Sequence, residues 1–150
     1  MSFFVISFFV ILADQLSKFF VIKNMIPYQS ISIIDDFLSL TYVRNSGAAF
    51  GILEGKSWLF IIITLLFIIV ALSYYHKMIK EMTIEKIGIV LSVGGAIGNL
   101  IDRIRFGEVI DFIDVNYFSV FNLADCAICV GVFLIVLAIL FKNDKKEEEI

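Results

Sequence analysis

Charge is what this 150-residue sequence has least of. Asp, Glu, Lys and Arg make up 18% of the chain, against about a quarter in soluble domains. Seven of those 27 charged residues (12 basic and 15 acidic) crowd into the last nine positions, Lys142 to Ile150, so the body is poorer still. A chain that is 60% hydrophobic with a mean hydropathy of +0.96 cannot cover itself with polar surface. That excludes a soluble globular domain and a disordered chain. A net charge of −3 leaves no basic footprint for nucleic acid. Two cysteines, Cys126 and Cys129, sit three apart in an apolar run and make no disulfide framework; a single histidine offers little to a zinc site. No metal or cofactor is expected. Met1 to Leu12 lacks a basic n-region and no small-residue cleavage site follows it, so it is expected to be a retained span rather than a removed leader. The solvent that remains is a lipid bilayer.

What is present fits that solvent. Crossing a hydrocarbon layer of roughly 30 Å takes about 20 mostly apolar helical residues. Four segments approach this length: Phe3 to Ile22, Trp58 to Tyr75, Ile84 to Ile101 and Leu123 to Phe141. The second carries no charge and places Trp58, Tyr74 and Tyr75 at its ends, where aromatic rings favour the membrane interface. The others carry polar groups: Asp14 and Lys18 in the first, Asn99, Asp102 and Arg103 at the end of the third, Asn122 and Asp125 at the start of the fourth. A short charged hairpin, HKMIKEMTI, joins segments two and three. The longer loop from Lys23 to Ser57 contains ISIIDDFLSLTYVR, whose alternation predicts short strands with Leu38, Leu40 and Tyr42 on one face. The expectation is an all-α membrane protein of four transmembrane helices with a small sheet outside the membrane, forming a single domain over 1–150 with a charged, solvated tail at 142–150. Four crossings put both termini on one side. Lys and Arg are nearly balanced between the two sides, six against five, and do not fix which side is cytoplasmic.

An ionisable group within a membrane is costly unless paired or hydrated, which makes Asp14, Asp111 and Asp125 candidates for function. Asp14 and Lys18, four apart on one helix, can simply satisfy each other. In GGAIGNLIDR the small residues permit close packing or close substrate approach, and Asn99 and Arg103 project from one face near the helix end, where a guanidinium stays wetted; a packing motif with a snorkelling arginine is the less favoured alternative. Asp111 and Asp114 flank Phe112 and Ile113 beyond the third span. In FNLADCAIC, Asn122 reads as a helix N-cap and Asp125 lies in the first turn, where a carboxylate is favoured by the helix dipole alone. RNSGAAFG, Arg44 to Gly51, offers Asn45 amid small residues that a turn would explain. The combination points further. A short loop can bring an aspartate of the 109–114 run to Asp125, and no Ser, Cys or His constellation competes. Two close carboxylates share one proton, so that one activates water while the other donates to a carbonyl oxygen. This is aspartic proteolysis, and the residues alone do not separate Asp111 from Asp114.

Together these motifs resemble lipoprotein signal peptidase, the type II signal peptidase of bacteria. The blocks run in order: DQLSK at Asp14 to Lys18, NSGAAFG at Asn45 to Gly51, GGAIGNLIDR at Gly94 to Arg103, VIDFID at Val109 to Asp114 and FNLADCAI at Phe121 to Ile128. The resemblance implies a multi-pass enzyme of the bacterial cytoplasmic membrane, a monomer, with both termini cytoplasmic, the active site toward the outer leaflet, and a sheet and short helix in the first loop. It implies cleavage of prolipoproteins, on the N-terminal side of a diacylglyceryl-modified cysteine, without a cofactor. By position it makes Asp111 and Asp125 the catalytic pair and Asp114 a neighbouring acidic residue outside it. Asn45, Asn99, Arg103 and Asn122 fall on substrate-positioning and supporting positions, Gly95 on a close-approach glycine and Asp14 on a supporting aspartate. Ser17 stands where the family commonly has Thr, which keeps the hydroxyl. Two other classes remain possible from sequence. A proton-coupled transporter lacks the inverted repeats expected of one, and a structural partner using GGAIG for association leaves three carboxylates unexplained.

Overall fold

The computed structural model describes residues 3–47, 53–78 and 83–147. Residues 48–51 of the NSGAAFG block, the middle of the charged hairpin at 79–82 and the tail at 148–150 lie outside the described residues. Each expected span is a helix: α1 (Phe3–Asn24), α2 (Ser57–Lys77), α3 (Ile84–Phe106) and α4 (Leu123–Glu147). All four are long and apolar enough to cross a membrane. The strands β1 (Ser30–Ile34) and β2 (Leu38–Asn45) separate α1 from α2, and β3 (Val109–Val115) separates α3 from α4.

The helices differ in what covers them. Every residue of α2 is apolar or weakly polar until its last turn and none is buried, as befits a helix whose neighbours are lipid chains. α3 is the opposite, the buried axis on which α1, α2 and α4 all pack. Small residues allow that approach. A Cβ built on Gly95 would run into the backbone carbonyl of Ala124 and come within 2.9 Å of the Ile128 side chain, so only glycine lets α4 lie so near. α3 outruns its expected end at Ile101 by more than a turn, because Asp102 and Arg103 find partners and need not leave the helix. It stops where Gly107 adopts φ 74° and donates its N–H to the Arg103 carbonyl at 3.0 Å, a left-handed turn that costs glycine little.

Beyond the helix ends, the strands form one antiparallel sheet in the order β1-β2-β3. The first loop supplies the two strands its alternation predicts; the third comes from the loop after α3, and it carries Asp111. Of the short helix implied for the first loop, the described residues show only a turn at 53–55. Tyr42, Ile110 and Phe112 pack on Val21 and Met25 at the end of α1, with Leu40 and Ile113 alongside. Each such buried side chain is worth roughly 1.5–3 kcal/mol, enough to fix the sheet on the helix bundle.

Candidate active site

The two carboxylates arrive from different elements. Asp111 lies in β3 opposite Val43, and Asn45 lies opposite Val109; this diagonal lets Asn45 Nδ2 donate to Asp111 Oδ2 at 2.9 Å. Asp114, three residues on, emerges from the other face of the strand and accepts from Thr41 Oγ1 at 2.6 Å. Strand alternation thus separates the two aspartates that the sequence alone does not. Asp125 is fixed by a reciprocal cap at the start of α4. Its N–H donates to Asn122 Oδ1 at 3.0 Å, and the Asn122 N–H donates to Asp125 Oδ2 at 3.2 Å.

Two asparagines join the pair. Asn122 Nδ2 donates to Asp111 Oδ1 at 2.6 Å and to Asn99 Oδ1 at 3.1 Å, while Asn99 Nδ2 donates to Asp125 Oδ1 at 2.8 Å. Each of the four carboxylate oxygens therefore accepts at least one hydrogen bond. Asp111 and Asp125 open into the same cavity of about 380 Å³, which Arg103, Phe60, Phe118 and Phe121 also line. Burial pushes the Asp111 carboxyl up to about 6, the Asn45 hydrogen bond opposes that rise, and the nearby Asp125 charge adds to it. Arg103 stacks its guanidinium over Phe60 at 5.0 Å and reaches the Gly47 carbonyl at 3.5 Å.

Behind this pair lies a second cluster, in which Asp14, Lys18 and Asp102 are buried and Gln15 half-buried. Lys18 Nζ stands 2.9 Å from both Asp14 Oδ2 and Asp102 Oδ2, and donates to Asn99 Oδ1 at 3.0 Å. Gln15 Nε2 bridges Asp14, Asp102 and the Gly98 carbonyl at 3.0–3.2 Å. Both carboxylates also reach outward. Asp14 accepts the Ala124 N–H at 3.0 Å on its second oxygen, Oδ1, beside Asp125; Asp102 accepts the Ile110 N–H at 3.2 Å, beside Asp111, on the same Oδ2 that faces Lys18. Lys18 is thus one asparagine, Asn99, away from Asp125, and two, Asn99 and Asn122, away from Asp111.

The sequence matches the family described as signal peptidase (SPase) II over residues 6–141. The chain belongs to the signal peptidase II family. That family is an aspartic peptidase, a hydrolase acting on lipoprotein substrates in the membrane. Two solved structures, each described as a bacterial membrane enzyme, are similar throughout. One is 38% identical, with a TM-score of 0.90 over 96% of this chain and 90% of its own; the other is 39% identical, with a TM-score of 0.84 over 92% of each. Of the residues that the resemblance to signal peptidase II singled out, Asn45, Asn99, Arg103 and Asn122 stand around Asp111 and Asp125. Gly95 brings α4 close, and Asp14 sits one layer behind. Gln15, Lys18 and Asp102 were not singled out as site residues. Their signal was the spacing, Lys18 one turn after Asp14 and Asp102 one turn after Asn99, which suggests pairing along one helix and says nothing of pairing between helices.

Proposed function

We propose that this chain is the endopeptidase that removes signal peptides from diacylglyceryl-modified prolipoproteins, with Asp111 and Asp125 as its catalytic pair. The observation carrying this reading is the joining of two carboxylates from β3 and α4 through Asn122 in one cavity at the membrane boundary. One proton is shared by the pair, and the raised Asp111 carboxyl is its resting place. Asp125 takes a proton from water as the water oxygen attacks the scissile carbonyl, and Asp111 gives its proton to the carbonyl oxygen. As the tetrahedral intermediate collapses, the C–N bond breaks. Asp125 passes the proton it took from water to the departing amine of the lipid-bearing cysteine, Asp111 recovers its proton from a hydroxyl of the intermediate, and the signal peptide keeps the new carboxyl group. Asn45, Asn99 and Asn122 hold the carboxylates through each exchange.

A lipid-borne substrate accounts for the site's depth: its acyl chains stay in the bilayer while the scissile bond meets the aspartates. The resemblance to signal peptidase II supports assigning the sheet end to the outer leaflet and both termini to the cytoplasm. The chain acts as one domain and as a monomer, since it supplies both carboxylates itself. The test is cleavage of a diacylglyceryl precursor and its unlipidated counterpart by purified protein. The lipidated form is expected to be cut before its cysteine, and Asp111→Asn and Asp125→Asn to abolish cutting while inserting normally. Retained cleavage by either variant, or equal cleavage of both precursors, overturns the reading.

A further inference from the structure

The cavity holding the carboxylates does not end at them. It continues into a slot of about 260 Å³ lined by Ile63, Thr64 and Phe67 of α2, Ala96 of α3 and Val132 of α4; Asn99, Arg103 and Ile128 line both spaces. The slot exists because α2 packs chiefly on α3 and leaves a gap toward α4, and because the residue at its floor is only an alanine. Ala96 lies seven residues before Arg103 and Val132 seven after Asp125, so the slot runs roughly 10 Å along the helices from the carboxylates toward the middle of the bilayer. Ile63 and Val132 remain about half exposed there, open to lipid.

Its mouth carries an unused donor. The Arg103 Nε is buried and has no hydrogen-bond partner among the described residues. Such a group loses its water without compensation, and the cation–π contact with Phe60 does not replace a hydrogen bond. An occupant that suits both features is apolar for most of its length and bears one neutral acceptor at its head. A peptide does not suit them, because its backbone N–H and C=O groups would enter hydrocarbon with only Thr64 in the slot's length to meet them. A fatty acyl chain carries no such groups, and its ester carbonyl is an acceptor at the right end.

We infer that this slot binds one acyl chain of the lipid-modified cysteine and that Arg103 Nε donates to the ester carbonyl at the head of that chain. The inference rests on the proposed function and deepens it. It makes the α2–α4 gap the feature by which a lipidated substrate is told from an unlipidated one, and it places the modified cysteine beside Asp125, where its amide is to be cut.

The experiment compares kcat/KM for diacylglyceryl peptides with sixteen-carbon chains, which fill the slot, and four-carbon chains, which do not, in one detergent. Thr64→Trp and Val132→Trp fill the slot and are expected to cut the preference for long chains by roughly tenfold or more. Leu66→Trp, on the lipid-facing side of α2, is expected to leave that preference alone. A peptide with ether links in place of esters lacks the carbonyl. Wild type is expected to process it roughly tenfold less well than the ester, and Arg103→Lys to process the two alike. Unchanged chain-length preference in both slot-filling variants overturns the inference while leaving the peptidase assignment standing; no cleavage of any lipidated peptide by wild type defeats that assignment itself. Should the filled variants lose all processing, a diacylglyceryl peptide bearing a diazirine halfway along one acyl chain decides the matter on wild type. Labelling concentrated at residues 63–67 and 128–132 supports the slot, and labelling spread over the lipid-facing sides of α1 and α4 overturns it.

Discussion

At the scale of the residue, Asp111 carries the clearest consequences. Its carboxyl is raised from 3.8 to about 6, chiefly by burial. A pair that works with one shared proton loses it as pH climbs through that value, so kcat/KM, which reports the free enzyme, is expected to fall on the alkaline side. The Asn45 hydrogen bond favours the ionised form. Asn45→Ala is therefore expected to move that alkaline limb to higher pH, and an unmoved limb would separate the limb from Asp111. Stability follows from the same shift. A folded-state value above the unfolded one favours folding most below pH 3.8, and the benefit is lost as pH rises through about 6. Two units amount to about 3 kcal/mol, and an amide at this position forfeits about 1 kcal/mol of hydrogen bonding. Asp111→Asn is thus expected to stabilise the protein by about 2 kcal/mol at pH 8 and not at pH 4, read from unfolding midpoints in micelles. Apart from the family resemblance, the residues nominate Asp111 and Asp114 only together, because their exchangeable chemistry differs only in which face of a strand each occupies.

At the scale of the element, how near α4 comes to α3 decides where Asp125 stands. Gly95 and Gly88 both meet α4 with no room for a Cβ: at Gly95 it would strike Ala124, one residue from Asp125, and at Gly88 it would lie 2.5 Å from the Gly131 carbonyl. Substitution at either should loosen the pair of helices, but with different effects on the site. Gly95→Ala is expected to lower kcat by roughly a hundredfold through a displacement of about 1 Å at the carboxylate. Gly88→Ala, seven residues and about 10 Å farther along the helix from the site, is expected to cost stability with a far smaller loss of rate. Similar kcat losses at matched stability would show that α4 moves as a rigid whole. The helices were legible in the sequence because hydrophobic length alone specifies them. So was the cap at Asn122, since asparagine followed three residues later by a carboxylate is a local signal. β3 was not, because VIDFID becomes a strand only by pairing with β2, more than sixty residues earlier in the chain. The extension of α3 beyond the apolar stretch to Phe106 is distant information of the same kind, as the partners of Asp102 belong to α1 and β3.

At the scale of the whole molecule, Lys18 sits where four elements meet. Its two carboxylate partners also hold the α4 terminus through Ala124 and the start of β3 through Ile110, and it reaches Asn99 directly. One buried cation thereby fixes the relative places of α1, α3, α4 and β3, and with them the spacing of Asp111 and Asp125. Removing it leaves two carboxylates facing each other without their cation. Lys18→Met is expected to destabilise the protein by about 3–5 kcal/mol. Asp14→Asn removes one of the stranded charges, so adding it to Lys18→Met should cost far less than it does alone. A double-mutant cycle on unfolding free energies is expected to give a coupling of at least about 2 kcal/mol. The couplings should extend to function: with Lys18 gone, Asn99 Oδ1 keeps only Asn122 of the two donors that orient it, and the kcat of Lys18→Met should fall even at a temperature where the variant is fully folded. Additive effects in the cycle together with an unchanged kcat would mean that packing alone brings the carboxylates together, and that the buried charges are passengers in a bundle already assembled.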